Sequence, residues 1–212
     1  MRIIGLTGSI GMGKSVAVGL LRRQRVPVHD ADAEVHRLLG RNGAAVRAVA
    51  KAFPGTVTDG KVDRRKLGAR VFGKKNEAAL RRLEAIIHPL VRRNTERWLA
   101  RQARRRAPLV VLDVPLLFES NGGRGRRARR YDAAIVVSAP AFLQRQRVLR
   151  RPGMTKARFQ EIDRRQLPDR LKRGLADVVV TSGIGRRPTL IGLKRALRKL
   201  RRRRAWRPGY LG

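Results

Sequence analysis

Short apolar runs alternate with longer stretches of helical period along most of the chain, and that alternation predicts the elements. Arg2 to Thr7 reads as a buried strand. A glycine-rich segment, Gly8 to Gly13, follows, and then a helix from Lys14 to about Gln24 with Val16, Leu20 and Leu21 among its apolar positions. Val26 to His29 is a second short strand ending at Asp30, and Ala31 to Leu39 is a helix. Residues 43–53, 63–71 and 76–87 continue the helical period. Pro89 suits a first helical turn and predicts a separate helix from there to about Arg105. Leu109 to Asp113 and Ala133 to Val137 are continuous apolar runs of strand length, as expected of strands buried on both faces of a parallel sheet. Pro140 begins another helix, Thr155 can cap the next, Asp177 to Val180 is a fifth strand, and a basic helix runs from about Pro188 to Arg203. The order predicts an α/β domain around a parallel five-stranded sheet flanked by helices.

Composition narrows the classes. The 212 residues allow one domain of ordinary size with a small insertion, and 42% hydrophobic content is enough for a core. No apolar run approaches the roughly 20 residues of a membrane span, and Met1 to Thr7 has no signal-peptide pattern. Cysteine is absent, which excludes a disulfide framework and a Cys-based zinc site and fits the cytoplasmic location expected here. The 52 basic and 15 acidic residues leave a net charge of +37, and 11 of the basic residues follow Gly185 with no acidic one among them. Such a surplus predicts salt-sensitive, non-specific binding to polyanions, carried above all by an Arg-rich tail at 201–212. The other basic stretch of low globular character is the loop 122–130. For any single Arg the solvated surface role is the more common one. The chain has nine aromatic residues and no recognised nucleic-acid-binding motif, which weakens a nucleic-acid reading.

One segment carries specific chemistry. Gly8-Ser9-Ile10-Gly11-Met12-Gly13-Lys14-Ser15 matches G-x-x-x-x-G-K-[ST] between a predicted strand and a predicted helix, the context that the motif requires. Glycines let the backbone close around phosphate oxygens, and the helix start supplies free N–H groups. Lys14 can reach the β- and γ-phosphates, and the Ser15 hydroxyl can coordinate Mg²⁺. The motif implies a nucleoside triphosphate without naming the reaction.

The remaining candidates each have two readings. Asp30 and Asp32 follow the second strand, at the strand end where open α/β sheets bind ligands. Either could orient an attacking hydroxyl and take its proton, or cap the following helix. Asp113 ends an apolar strand and could hold Mg²⁺ through water or simply form a turn. His88 has no partner at metal-ligand spacing, which leaves a structural or a substrate-contacting role. Phe118 and Glu119 lie in the loop after the 109–113 strand. Arg145, Arg147, Arg150 and Arg151 fall in one predicted helix; Arg147 and Arg151 share a face and could serve as lid cations or as a solvated basic surface.

Taken together, several blocks resemble the dephospho-coenzyme A kinase family over about residues 1–183. They are Ile4 to Ser15, Val26-Pro27-Val28-His29-Asp30-Ala31-Asp32, His88-Pro89-Leu90, Asp113-Val114-Pro115-Leu116-Leu117-Phe118-Glu119, Gln144 with Arg147 and Arg151, and Gln166-Leu167-Pro168 with Lys172-Arg173 and Ala176-Asp177. The resemblance implies a P-loop kinase-like fold that transfers the γ-phosphate of ATP, with Mg²⁺, to the 3′-hydroxyl of dephospho-coenzyme A. It implies a core of residues 1–40 and 106–200, a helical substrate-binding insertion at about 41–105 and a lid at about 140–170. Asp32, Lys14 and Arg147 would be catalytic. Gly8, Gly11, Met12, Gly13, Lys14, Ser15 and Val16 would hold ATP, together with Arg147 and Arg151. His88, Leu116, Phe118 and Glu119 would line the acceptor side with Asp32. Val16 stands where the family usually has Thr, which predicts weaker ATP binding, and Thr181 stands where it often has Asn. The alternatives are another nucleoside or nucleotide kinase, which the Asp30-Ala31-Asp32 and Pro115 to Glu119 blocks oppose, and a basic NTP-dependent nucleic-acid-binding protein.

Overall fold

A computed structural model describes residues 1–73, 76–119 and 131–202. In chain order the described elements are β1 (Arg2–Thr7), α1 (Lys14–Arg23), β2 (Val28–Asp30), α2 (Ala31–Leu39), α3 (Val46–Ala52), β3 (Val57–Thr58), β4 (Lys61–Val62), α4 (Arg64–Val71) and α5 (Glu77–Arg104). They continue with β5 (Leu109–Asp113), β6 (Ala133–Ser138), α6 (Ala141–Leu149), α7 (Lys156–Arg164), α8 (Asp169–Leu175), β7 (Val178–Thr181) and α9 (Arg186–Arg202). Two compact units result. One comprises Met1–His29 with the described residues from Gln102 onward, and the other Asp30–Arg101. The basic loop 122–130 and the tail beyond Arg202 lie outside the described residues, although α9 reaches Arg202, two residues into the stretch expected to be tail.

The five-stranded parallel sheet has the order β2-β5-β1-β6-β7. β1 sits in the middle, with Leu6 opposite Asp113 on one side and Ile135 on the other. The register brings the chain leaving β1 to the same sheet end as Asp113, so the glycine-rich segment and that carboxylate share one edge. Every residue of β5 and β6 is buried, as their unbroken apolar runs anticipated. Alternation sorts the side chains: Ile4, Leu6, Ile135 and Val137 pack against Leu21 of α1 and Leu193, Leu197 and Leu200 of α9. On the opposite face Ile3, Ala134 and Val136 join Leu117, Phe118 and Tyr131.

The second unit has its own core, in which Leu38, Val49, Phe53, Leu67, Val71 and Ile87 are buried. Its α5 corrects the expected break. Pro89 lies inside one continuous helix rather than at the start of a second. An internal proline costs about 3 kcal/mol, but Leu83, Ile86, Ile87, Leu90 and Val91 pack on the core from both sides of it. That burial offsets the lost backbone bond. The β3–β4 hairpin was not foreseen because its strands have two residues each. Its turn was readable, since Asp59 and Gly60 take φ of 49° and 72°, the pattern an Asp-Gly pair favours.

Candidate active site

The phosphate-loop geometry follows from glycine at two positions. Gly11 and Gly13 have φ of 77° and 86°, which side-chain-bearing residues rarely adopt. A Cβ at Gly11 would lie 2.5 Å from Val148 Cγ2, and one at Gly13 would lie 2.5 Å from Ser182 Oγ. Gly13 is also the N-cap of α1, where among the described residues no capping side chain takes a first-turn N–H. Those donors and the positive helix end are thus left for an anion.

Lys14 opens α1, and its Nζ donates to Asp113 Oδ1 at 2.7 Å. The buried carboxylate at the end of β5 therefore faces the lysine of the loop. Ser15, the next residue, is exposed. A hydroxyl and a nearby carboxylate are hard oxygen donors, the set that suits Mg²⁺, which keeps most of its waters and takes few protein ligands. Among the described residues no group of three or more His, Cys, Asp or Glu side chains is gathered to hold a metal by itself.

The α6–α9 half of the unit closes on the loop from the other side. Gln144 Nε2 donates to the Ile10 carbonyl at 3.0 Å, and the Ile10 N–H donates to Gln166 Oε1 at 2.9 Å, so two glutamines satisfy both backbone polar groups of one loop residue. Arg147 donates through Nη1 to Ser182 Oγ (3.2 Å) and through Nη2 to the Ser182 carbonyl (2.9 Å). Ser182 was missed by the sequence reading, which singled out its neighbour Thr181. Its signal was a polar residue directly after an apolar strand, at the ligand-binding end of the sheet. The expectation that Arg145, Arg147, Arg150 and Arg151 share one helix is corrected: α6 ends at Leu149, Arg150 is its C-cap, and Arg151 is exposed one residue beyond. The turn made by the Arg151 and Met154 backbone N–H groups ends the run ahead of Thr155, whose hydroxyl caps α7 as anticipated.

The three loop residues after β5 differ in environment. Leu116 is 43% exposed, whereas Phe118 is 4% exposed and packs in the core. Glu119 is tied inward: its Oε1 lies 2.9 Å from Lys172 Nζ and accepts the Leu167 N–H at 2.9 Å. Lys172 is completely buried. Burial alone would raise the Glu119 carboxyl, but the Lys172 ammonium and the backbone N–H outweigh it and hold the group below the ordinary glutamate range. A depressed folded-state value contributes stability above the unfolded value, and the contribution is lost as pH falls through the folded one. Lys172→Met should therefore cost about 3 kcal/mol at neutral pH, with the loss shrinking in acid as Glu119 becomes neutral. Urea midpoints at pH 7 and in mild acid test this; a loss of equal size at both would show that packing, not the ion pair, is responsible.

Asp30, Asp32 and His88 belong to the second unit. Asp30 Oδ1 accepts the Ala33 N–H at 2.9 Å and is the N-cap of α2. Asp32 is exposed in the first turn of the same helix and is not its cap. The capping role and the free carboxylate thus fall to different residues. His88 is exposed on α5, just before Pro89.

The family model described as Dephospho-CoA kinase matches residues 2–185. A Rhodospirillum rubrum protein named Dephospho-CoA kinase is 56% identical over 210 residues, covering 98% of this chain and 96% of that protein. One of the same name from Paramagnetospirillum magneticum is 60% identical over 173 residues, 82% of this chain and 78% of its own length. Among solved structures, one from Thermus thermophilus has a TM-score of 0.79 at 36% identity, covering 94% of this chain and 97% of its own.

Proposed function

The chain belongs to the dephospho-CoA kinase family, and from that premise we propose which of its residues carry the family's reaction. ATP phosphorylates the ribose 3′-hydroxyl of dephospho-CoA, giving CoA and ADP, the last step of coenzyme A biosynthesis. Phosphoryl transfer asks a protein for positioning and charge neutralisation more than for covalent chemistry. The loop amides from Gly8 to Val16 cradle the phosphates, and Lys14 reaches the β- and γ-oxygens. Arg147 adds positive charge beside Gly13, with Arg151 at the exposed margin. The Asp32 carboxylate takes the proton of the attacking 3′-hydroxyl. His88 and Leu116 are the exposed residues of the acceptor side; Phe118 and Glu119 act from behind, as packing and as an anchor.

Ser15 would hold Mg²⁺ directly and Asp113 through water; the ion, when bound, neutralises phosphate charge. In this reading residues of about 41–105 receive the acceptor and residues of about 140–170 form the lid. The observation that carries the proposal is the pairing of Lys14 with Asp113 at the uncapped start of α1, with Arg147 fixed beside the same loop.

A second property rests on α9. Arg186, Arg187, Lys194, Arg195, Arg198 and Lys199 are exposed, and the helix contains no acid. Leu193, Ala196, Leu197 and Leu200 are buried in the core and Ile191 is the exposed large apolar residue of the helix, so the surface offers charge rather than a continuous insertable face. We propose weak, salt-sensitive polyanion binding there.

One experiment addresses both. Coupled ADP release is followed with ATP and Mg²⁺ across dephospho-CoA, adenylate, cytidylate and RNA, with heparin retention measured against salt in parallel. Turnover with dephospho-CoA alone, and retention that collapses as salt rises, is the expected result. Turnover of a nucleotide but not of dephospho-CoA would overturn the kinase assignment, RNA-stimulated ADP release would favour the nucleic-acid reading, and salt-independent retention would remove the electrostatic account of α9.

A further inference from the structure

Ser182 joins the phosphate loop to the lid cation through one hydroxyl. It follows β7, is buried, and extends the β6–β7 ladder, its N–H donating to the Ser138 carbonyl at 2.9 Å. Its place is therefore set by the sheet. From there its Oγ donates to the Met12 carbonyl at 2.6 Å and accepts from Arg147 Nη1, while its carbonyl accepts from Nη2. The hydroxyl's one proton is committed to the loop, so toward Arg147 it can act only as an acceptor. Gly13 touches the same side chain so closely that any Cβ there would collide with it.

The guanidinium is thus held at two points by one residue. Two of its five N–H donors are used, and three are left for phosphate oxygens. Among the described residues no other hydrogen bond holds it. Without the hydroxyl it would keep a single bond to a carbonyl, about which the planar group can swing.

We propose that Ser182 is the positioning residue for Arg147, holding its guanidinium beside the phosphate loop in the orientation that meets the transferring phosphate. The proposal rests on the reading that Arg147 acts on the phosphates. Because the charge on those oxygens changes most in the chemical step, the effect belongs in kcat more than in KM for dephospho-CoA.

The test is a double-mutant cycle on the full chain, with Ser182→Ala, Arg147→Ala and the double variant. Single-turnover transfer at high enzyme concentration is measured so that slow variants stay readable. Ser182→Ala should lower the transfer rate about tenfold, as expected for one lost hydrogen bond to a charged group, with KM for dephospho-CoA changed by less than about twofold. In the Arg147→Ala background the same substitution should cost less than about twofold. Arg147→Lys, which cannot span both Ser182 acceptors, provides a second background with the same expectation. Equal losses in all backgrounds, or a loss that follows melting temperature, would make Ser182 merely structural and overturn the proposal. Near-normal transfer by Arg147→Ala would instead overturn the role of Arg147 itself, while a normal Ser182→Ala beside an impaired Arg147→Ala would leave that role standing and remove only Ser182.

Discussion

Asp32→Asn is expected to lower kcat by about 10²–10⁴-fold while ATP affinity changes by less than about twofold. The substitution keeps the shape of the side chain and removes its negative charge, and with it the ability to accept a proton. Asp32 does not cap α2; that bond belongs to Asp30. The helix start is therefore preserved, and the variant should melt close to the parent. Asp30→Asn is the natural control. Asparagine caps as well as aspartate does, so this change should leave both helix and turnover nearly intact. A base acts in the chemical step and not in binding the nucleotide, so the signature is a fall in kcat with ATP binding retained. If Asp32→Asn turns over normally while Asp30→Asn does not, the two carboxylates have been assigned in the wrong order. If both are normal, neither is the base.

What could be read along the chain, and what could not, divides by the range of the interaction. β5 and β6 were legible because burial on both faces leaves an unbroken apolar run, and the run is itself the signal. The phosphate loop was legible because its chemistry sits in eight consecutive residues. Pro89 misled because a local rule met a non-local compensation, the packing of α5 on the core of its unit. Arg151 misled for the opposite reason: helical spacing was extended past Leu149, where the helix ends. Ser182 and Lys172 were the harder cases. A lysine in a chain with 52 cations reads as solvated, and only the approach of Glu119, distant in sequence, makes a fully buried ammonium tenable. Net charge thus marked no particular residue. The cations with defined partners in the site, Lys14, Arg147 and Lys172, are recognised by the groups they face.

Lys14→Ala should lower kcat/KM for ATP by about 10²–10³-fold, the scale of losing one preorganised group that stabilises developing charge. It should also cost stability, which sets it apart from Asp32→Asn. Side-chain exposures of 17% for Lys14 and 6% for Asp113 make their ion pair largely desolvated. Removing the ammonium deprives a buried carboxylate of the Lys14 counter-charge, at a cost of about 3 kcal/mol. The pairing has a functional corollary under the proposed role of Lys14: an incoming triphosphate would compete with Asp113 for the same ammonium. Stability and catalysis can then be separated. Adding Asp113→Asn to Lys14→Ala removes the charge that lost its lysine, so the urea midpoint should recover part of its loss while kcat/KM stays low. Activity that returned along with the midpoint would mean that the single variant was inactive only because it was less folded, and that Lys14 serves the fold rather than the phosphates.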